Sequence, residues 1–451
     1  MATGTRETDP ELYRTIAPTA PEPTFAAGNR TRLHSTAAAV PLRILLVSSD
    51  TYPPARVDIT ALFGEQLASH GHQIDMLLQS EAACSRSFVT QWQGGRIWVT
   101  PTDLEPNLLH RLHKHLLGLL GDCRILTLLR RPHYDLVIVK DKFLTGLIAL
   151  LAARLFRRRF AFWLSYPFPE SYVQRARDGT GRYPLLYWIR GRAFGLLLYR
   201  MLLPHAAHVF VQSEQMGRDI AAKGLPPERM TAVPMGITQP RADCEDRSAP
   251  GSAGGTEASI VYLGTLVRVR RLEFLLHVLL RVRRIIPEAT LLLVGSGDDP
   301  GDEAFLLTQA ARLGLDDAVT ITGQLPRPQA LMHVSRAGVC VAPLPPDPVL
   351  NSCSPTKLVE YMAMGKAVVA TDHPEQRILI GESGGGYCVP YDEQAFADAT
   401  VRVLQDPACA EQMGRRGRKY VIEHRSYEAI AAVVERKLQQ LVLAHPAGQT
   451  C

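Results

Sequence analysis

Apolar residues fall in two kinds of run along this chain. Short unbroken runs rich in Val, Ile and Leu occupy residues 42–48, 74–78, 96–100, 136–139, 160–164 and 209–212, and a weaker one lies at 230–233. Runs of this length fit strands buried on both faces, as in parallel sheets. Between them, at 60–70, 108–131, 147–160 and 183–203, apolar residues recur at helical spacing, and Gly71 closes the first of these segments. Strand, helix, strand at this spacing predicts βαβ units. After a Gly-, Ser- and Ala-rich stretch the alternation starts again. Strands are expected at 260–263, 290–294, 319–322, 339–342 and 367–370, and helices at 272–284, 305–313, 329–336, 394–405 and 408–443.

The expected fold class is therefore α/β: two Rossmann-like parallel-sheet domains facing each other across a cleft, where the carboxyl ends of the strands meet. Residues 1–40 read as a disordered tail, rich in Pro, Thr and Ala without periodicity. Residues 41–238 form the first domain, 239–258 a linker and 259–410 the second domain. Residues 411–451 return toward the first domain as a closing helix.

Composition adds one feature. The net charge of +6 is unevenly placed: residues 101–205 hold 17 Lys and Arg against 7 Asp and Glu, so the remainder is mildly acidic. In 108–131, 147–160 and 183–203, leucines and aromatics interleave with arginines, which suits the interface of an anionic membrane. A buried face with a solvated basic edge is the plainer alternative. No nucleic-acid module accompanies the charge, so nucleic acid is set aside as a partner. The longest apolar run, 143–156, is short for a membrane span and carries Arg154. The first forty residues lack the apolar segment of a signal peptide. Eight scattered cysteines without a CxxC pair predict free thiols in a reducing, cytoplasmic setting.

The candidate chemistry centres on residues 354–371, SPTKLVEYMAMGKAVVAT. Ser354 is expected to cap a short helix, with Pro355 and Thr356 in its first turn and Gly365 at its end. Lys357 opposes the helix dipole there, unless a polyanion sits on the free N–H groups of that end. Glu360, one turn on, is placed to accept hydrogen bonds from a sugar diol. A surface Lys–Glu pair would account for the two as well. The preceding strand ends carry Gly264-Thr265, Gly295-Ser296-Gly297, Gly323 and Pro343-Leu344. One of Arg268, Arg270 and Arg271 is expected to share an anion with Lys357, and Arg270 is favoured.

Taken in order, YLGTLVRVRRLEFLL, LLLVGSGDD, VTITGQL and SPTKLVEYMAMGKAVVATD resemble the nucleotide-sugar domain of GT-B glycosyltransferases of the retaining family 4. The first half agrees, with SSDTYPP, LASHGHQIDML and VQSEQMGRDIAAKGLPPERMTAVPMGI. The resemblance implies that Arg270, Lys357 and the backbone around Ser354, Pro355 and Thr356 hold a diphosphate. It implies that Glu360 binds the ribose, that Gly323, Gln324 and Leu325 lie near the base, and that Gly264, Thr265, Arg268, Gly295 and Ser352 complete the donor site. Three positions depart from the family pattern: Ser352 replaces a glutamate, Thr265 an arginine, and Ala55-Arg56-Val57-Asp58 a glycine pair.

On the acceptor side, Arg56, Asp58, Tyr166 and Glu170 are the candidates. No Asp-x-Asp metal motif accompanies the site, so neither metal nor other cofactor is expected. The activity implied is transfer of a sugar from a nucleotide-diphosphate sugar to a glycan or lipid-linked acceptor. It would proceed with retained configuration, peripheral to the cytoplasmic face of the membrane. Alternatives are a scaffold subunit that lost the reaction and, more remotely, a nucleotide-sugar epimerase.

Overall fold

The computed structural model describes residues 40–103, 108–131, 133–179, 183–238 and 258–443. The expected tail and almost all of the expected linker lie outside these residues.

The first half is an eight-stranded sheet in the order β3-β4-β2-β1-β5-β6-β7-β8. Its strands are β1 (Arg43–Tyr52), β2 (Gln73–Ser80), β3 (Phe88–Trp92), β4 (Gly95–Thr100), β5 (Leu136–Lys140), β6 (Arg159–Leu164), β7 (His208–Val211) and β8 (Met230–Ala232). All neighbours are parallel except β3, which pairs antiparallel with β4 at the edge. The expected strands are all present, and β3 is additional. Its burial is low, and Thr90 and Gln91 interrupt its apolar residues Phe88, Val89 and Trp92, so no continuous apolar run marks it.

The second half is an all-parallel six-stranded sheet in the order β11-β10-β9-β12-β13-β14. These strands are β9 (Ser259–Leu263), β10 (Thr290–Val294), β11 (Val319–Ile321), β12 (Val339–Ala342), β13 (Val368–Thr371) and β14 (Gly386–Val389). Strand orders that reverse at β1/β5 and β9/β12 place a crevice at the carboxyl edge of each sheet.

Helices cover both sheets. In the first half a π-helix (Asp58–Leu67) follows β1. After it come α1 (Leu108–Asp122), α2 (Arg124–Arg130), α3 (Phe143–Leu155), α4 (Phe168–Arg177), α5 (Pro184–Leu196) and α6 (Glu214–Ala221). In the second half lie α7 (Glu273–Val282), α8 (Pro300–Arg312), α9 (Arg327–Ser335), α10 (Pro348–Asn351), α11 (Thr356–Ala363), α12 (Pro374–Ser383), α13 (Glu393–Gln405), α14 (Pro407–Arg425) and α15 (Tyr427–Leu443).

One expectation changes here: the single closing helix is two, broken at Ser426. The break has a tertiary cause: Ile237 donates to the Arg425 carbonyl at 2.8 Å and accepts from the Tyr427 N–H at 2.9 Å. Beyond it, Tyr427, Ile430, Val434 and Leu438 pack into the core of the first half, so the chain's end laps back onto its beginning. A buried Glu375–Arg425 pair at 3.1 Å sits at this joint, and Glu375 also accepts from the backbone N–H of Glu214 across the halves.

Candidate functional site

The two carboxyl edges enclose a cleft of about 990 Å³. Its second-half wall is Tyr262, Gly264, Thr265, Arg270 and residues 353–357; its first-half wall includes Arg56, Ser165, Tyr166, Gln174 and Tyr187.

α11 enters the cleft wall with its first turn. Pro355, in extended conformation, is the cap residue, and no side chain caps the helix. The expected Ser354 cap is not made: its hydroxyl accepts from the Met235 N–H at 3.0 Å, joining the two halves instead. Uncapped N–H groups at a helix start favour an anion through the helix dipole.

Lys357 runs from this turn beneath the end of β9. Its ammonium donates to the Tyr262 hydroxyl at 3.0 Å and lies 4.8 Å from the centre of that ring. The Tyr262 hydroxyl in turn donates to the Thr265 carbonyl at 3.2 Å. Burial, and then the Arg270 charge, pull the lysine down to about 7, against which Glu360 acts only weakly. A cation brought this low is stored next to a second cation, and an arriving diphosphate would restore its full charge.

Gly264 makes the arrangement possible. Its φ of +145° is glycine territory, and a Cβ there would stand 1.9 Å from Lys357 Cε. The neighbouring loop is equally close: a Cβ on Gly295 would meet the Gly264 carbonyl oxygen at 2.1 Å.

The other donor candidates divide. Gly323, Gln324 and Leu325 lead into α9, whose Arg327 holds Glu360 at 2.8 Å. Burial raises the Glu360 carboxyl and the Arg327 charge opposes this. None of this group, nor Gly295, is among the residues that line the cleft. Two candidates face elsewhere. Arg268 pairs with Asp302 at 3.3 Å and its guanidinium lies 3.6 Å from the Phe305 ring centre. Ser352 is buried: its hydroxyl donates to Asp219 at 2.6 Å and its carbonyl accepts from Ser213 at 2.7 Å. It serves as an inter-half clasp, which corrects its expected role at the donor.

On the acceptor side, Arg56 and Tyr166 line the cleft. Asp58 does not. Arg56 takes its carboxylate through Nε at 3.0 Å and Nη2 at 3.1 Å, and fully buried Lys140 takes it at 3.1 Å. Burial pushes that carboxyl up, but Lys140 and Arg56 outweigh it and hold it below its ordinary range. Lys140 also bridges to Asp50 at 3.0 Å, so the network braces Arg56 and offers no free carboxylate. Glu170 is not among the cleft-lining residues: its Oε1 takes the Tyr199 hydroxyl at 2.9 Å and Lys223, while its Oε2 is buried without a hydrogen-bond partner among the described residues.

Sequence reasoning missed Tyr262, Lys140 and Asp347, the last of which accepts from Gln174 across the cleft. A lysine directly after the apolar run 136–139, at a strand's carboxyl end, was the available signal for Lys140.

Tyr262 yields a first prediction. In Tyr262→Phe the ammonium loses its neutral acceptor while the ring remains. Nucleoside-diphosphate affinity is expected to fall about tenfold, the cost of one hydrogen bond to a charged group. The pH at which affinity begins to decline should also move lower. Titration calorimetry across pH reads both, and an unchanged pH profile would contradict the role.

Two parallel sheets facing across a cationic cleft define the GT-B class of α/β proteins. Residues 59–236 match the family model of a glycosyl transferase 4-like domain, and residues 257–406 that of the glycosyl transferases group 1. The chain belongs to these glycosyltransferases. Its fold is similar to sucrose-phosphate synthase from Thermosynechococcus elongatus (TM-score 0.67, 22% identity, covering 90% of this chain and 100% of that one). It is similar too to Anabaena Alr3699/HepE in complex with UDP (TM-score 0.59, 15% identity, covering 88% and 100%). Among curated proteins it matches glycogen synthase of Mycobacterium tuberculosis, 26% identical over 196 residues. That match spans 43% of this chain and 44% of the relative.

Proposed function

We propose that this chain transfers a sugar from a nucleotide-diphosphate sugar to a glycan or lipid-linked acceptor, with retained configuration, at the cytoplasmic face of a membrane. The observation that carries the reading is the half-buried Lys357, beside Arg270 and the uncapped start of α11, at the wall of a cleft of about 990 Å³. As the sugar leaves, negative charge grows on the β-phosphate. Pre-placed cations and N–H groups stabilise that charge most in the transition state. In this reading Lys357 and Arg270 carry the leaving group's charge and no metal ion is required. Glu360 and the 323–325 loop would hold the nucleoside. Arg56 and Tyr166 face the acceptor from the opposite wall. The UDP complex of the Anabaena neighbour supports a nucleotide donor.

The test is transfer of radiolabel from a panel of nucleotide sugars to membrane lipid extracts, with the anomeric configuration of the product determined. Labelled product formed by the purified chain is expected, and it would also dispose of the inactive-scaffold alternative. No transfer and no nucleotide binding would defeat the proposal.

A further inference from the structure

α5 is unusual for a helix of a folded domain. It is apolar on nearly every side, yet only Gly191 is buried. Leu185 is 71% exposed, Leu186 62%, Ile189 49% and Leu196 64%. Gly191 is also where the helix is anchored. A Cβ there would meet Val173 Cγ2 at 2.7 Å and the Pro169 carbonyl at 2.8 Å, so α5 lies tight against α4 along one line and presents the rest outward. An all-round apolar helix requires an apolar partner, a protein core or a lipid phase.

The neighbouring helices also expose leucines. α3 exposes Leu151 and Leu155, and packs on the segment that continues α5. α1 exposes Leu116 and Leu120. The charge of Arg190 on α5 is felt on α1, where after burial it lowers His115 most, ahead of Lys114.

Charge then selects the partner. Among the described residues, no ion pair joins a carboxylate to Arg190, Arg192 or Arg200. Arg190 instead stacks on Tyr172 at 4.5 Å and Phe194 at 5.2 Å, and Arg192 on Trp188 at 5.5 Å. Unpaired guanidiniums carried on aromatic rings at the margin of an apolar face match a surface that is apolar inside and anionic at its edge. No helix among the described residues is long and apolar enough to cross a membrane, so the contact would be interfacial.

We propose that α1, α3 and α5 form one bilayer-docking face, with α5 as the element that enters the interface of an anionic membrane. The inference deepens the acceptor reading above and rests on it in one respect. Tyr187 of α5, and Arg175 and Asp178 at the end of α4, line the cleft. A lipid-borne acceptor would thus pass from the bilayer along α5 into the site.

The test uses the full chain with vesicles of phosphatidylcholine, alone or doped with phosphatidylglycerol, and the double variant Leu185→Glu, Leu186→Glu. The wild type is expected to sediment with the anionic vesicles and far less with the neutral ones. The variant's partitioning should drop about tenfold or more. The variant should retain nucleoside-diphosphate binding and transfer to a short-chain water-soluble acceptor, because neither leucine lies in the cleft. Absence of wild-type binding to anionic vesicles overturns the proposal. So does a wild type that self-associates in solution and is released to monomers by the variant, which would assign the face to a second copy. Failure of the wild type to bind any nucleoside diphosphate would defeat the transferase reading, while the vesicle result would stand on its own.

Discussion

Replacing Lys357 with methionine is expected to slow sugar transfer by about a hundred- to a thousand-fold, the usual effect of removing one preorganised donor to a developing oxyanion. Methionine keeps the buried stem and deletes only the charge. The native lysine is held near 7 by burial and Arg270, so the folded protein gains little from that charge while the cleft is empty. The variant should therefore fold and melt much like the wild type.

A second signature follows from linkage. Binding of a diphosphate raises the lysine's pKa and so takes up a proton wherever the free lysine is neutral. Above pH 7 the wild-type affinity should fall by about one decade per pH unit, until the pKa of the complex is reached. Below pH 7 the lysine is already charged and that dependence vanishes. In Lys357→Met the slope should be absent throughout. Calorimetry between pH 7 and 9 decides the point, and full turnover in the variant would refute the site.

Much of the fold was legible because buried strands announce themselves. The first half of β1, β5 and β6 are nearly continuous apolar runs, and β7, β10, β12 and β13 carry the same mark. What escaped carries weaker marks or depends on partners distant in sequence. β3 is an exposed edge that hairpins onto β4, with Phe88 against Tyr52 and Trp92 against the core. α14 and α15 carry one helical periodicity, and the break between them comes from pairing with Ile237, nearly two hundred residues earlier.

The site divides in the same way. Lys357 betrayed itself by contradicting the helix dipole, and Gly264 by its place at a strand end. Asp58, Glu170 and Ser352 have the right chemistry for a site, but Lys140, Lys223 and Asp219 had already claimed them. Residue type shows what a side chain can bind; the fold decides whether it is free to do so. Tyr262 is the converse. As one aromatic residue within a strand it carries no mark of function, yet its hydroxyl joins Lys357 to the turn at Thr265.

Gly264→Ala is expected to abolish measurable donor binding and, with it, transfer. Two causes act together. The φ of +145° disfavours any Cβ, at a strain of about 1–3 kcal/mol. The new methyl would also stand 1.9 Å from Cε and 2.5 Å from Nζ of Lys357, in the space through which the lysine reaches Tyr262. Strain alone would destabilise the protein and leave the affinity of the folded fraction nearly intact. Eviction of the lysine would spare stability and remove the affinity. A double-mutant cycle with Lys357→Ala separates them. If eviction dominates, adding Gly264→Ala to Lys357→Ala should weaken binding little further, because the group being displaced is already gone. Binding losses that simply add would show that the two residues act independently. The Gly264 contact would then not be what sets the lysine in place.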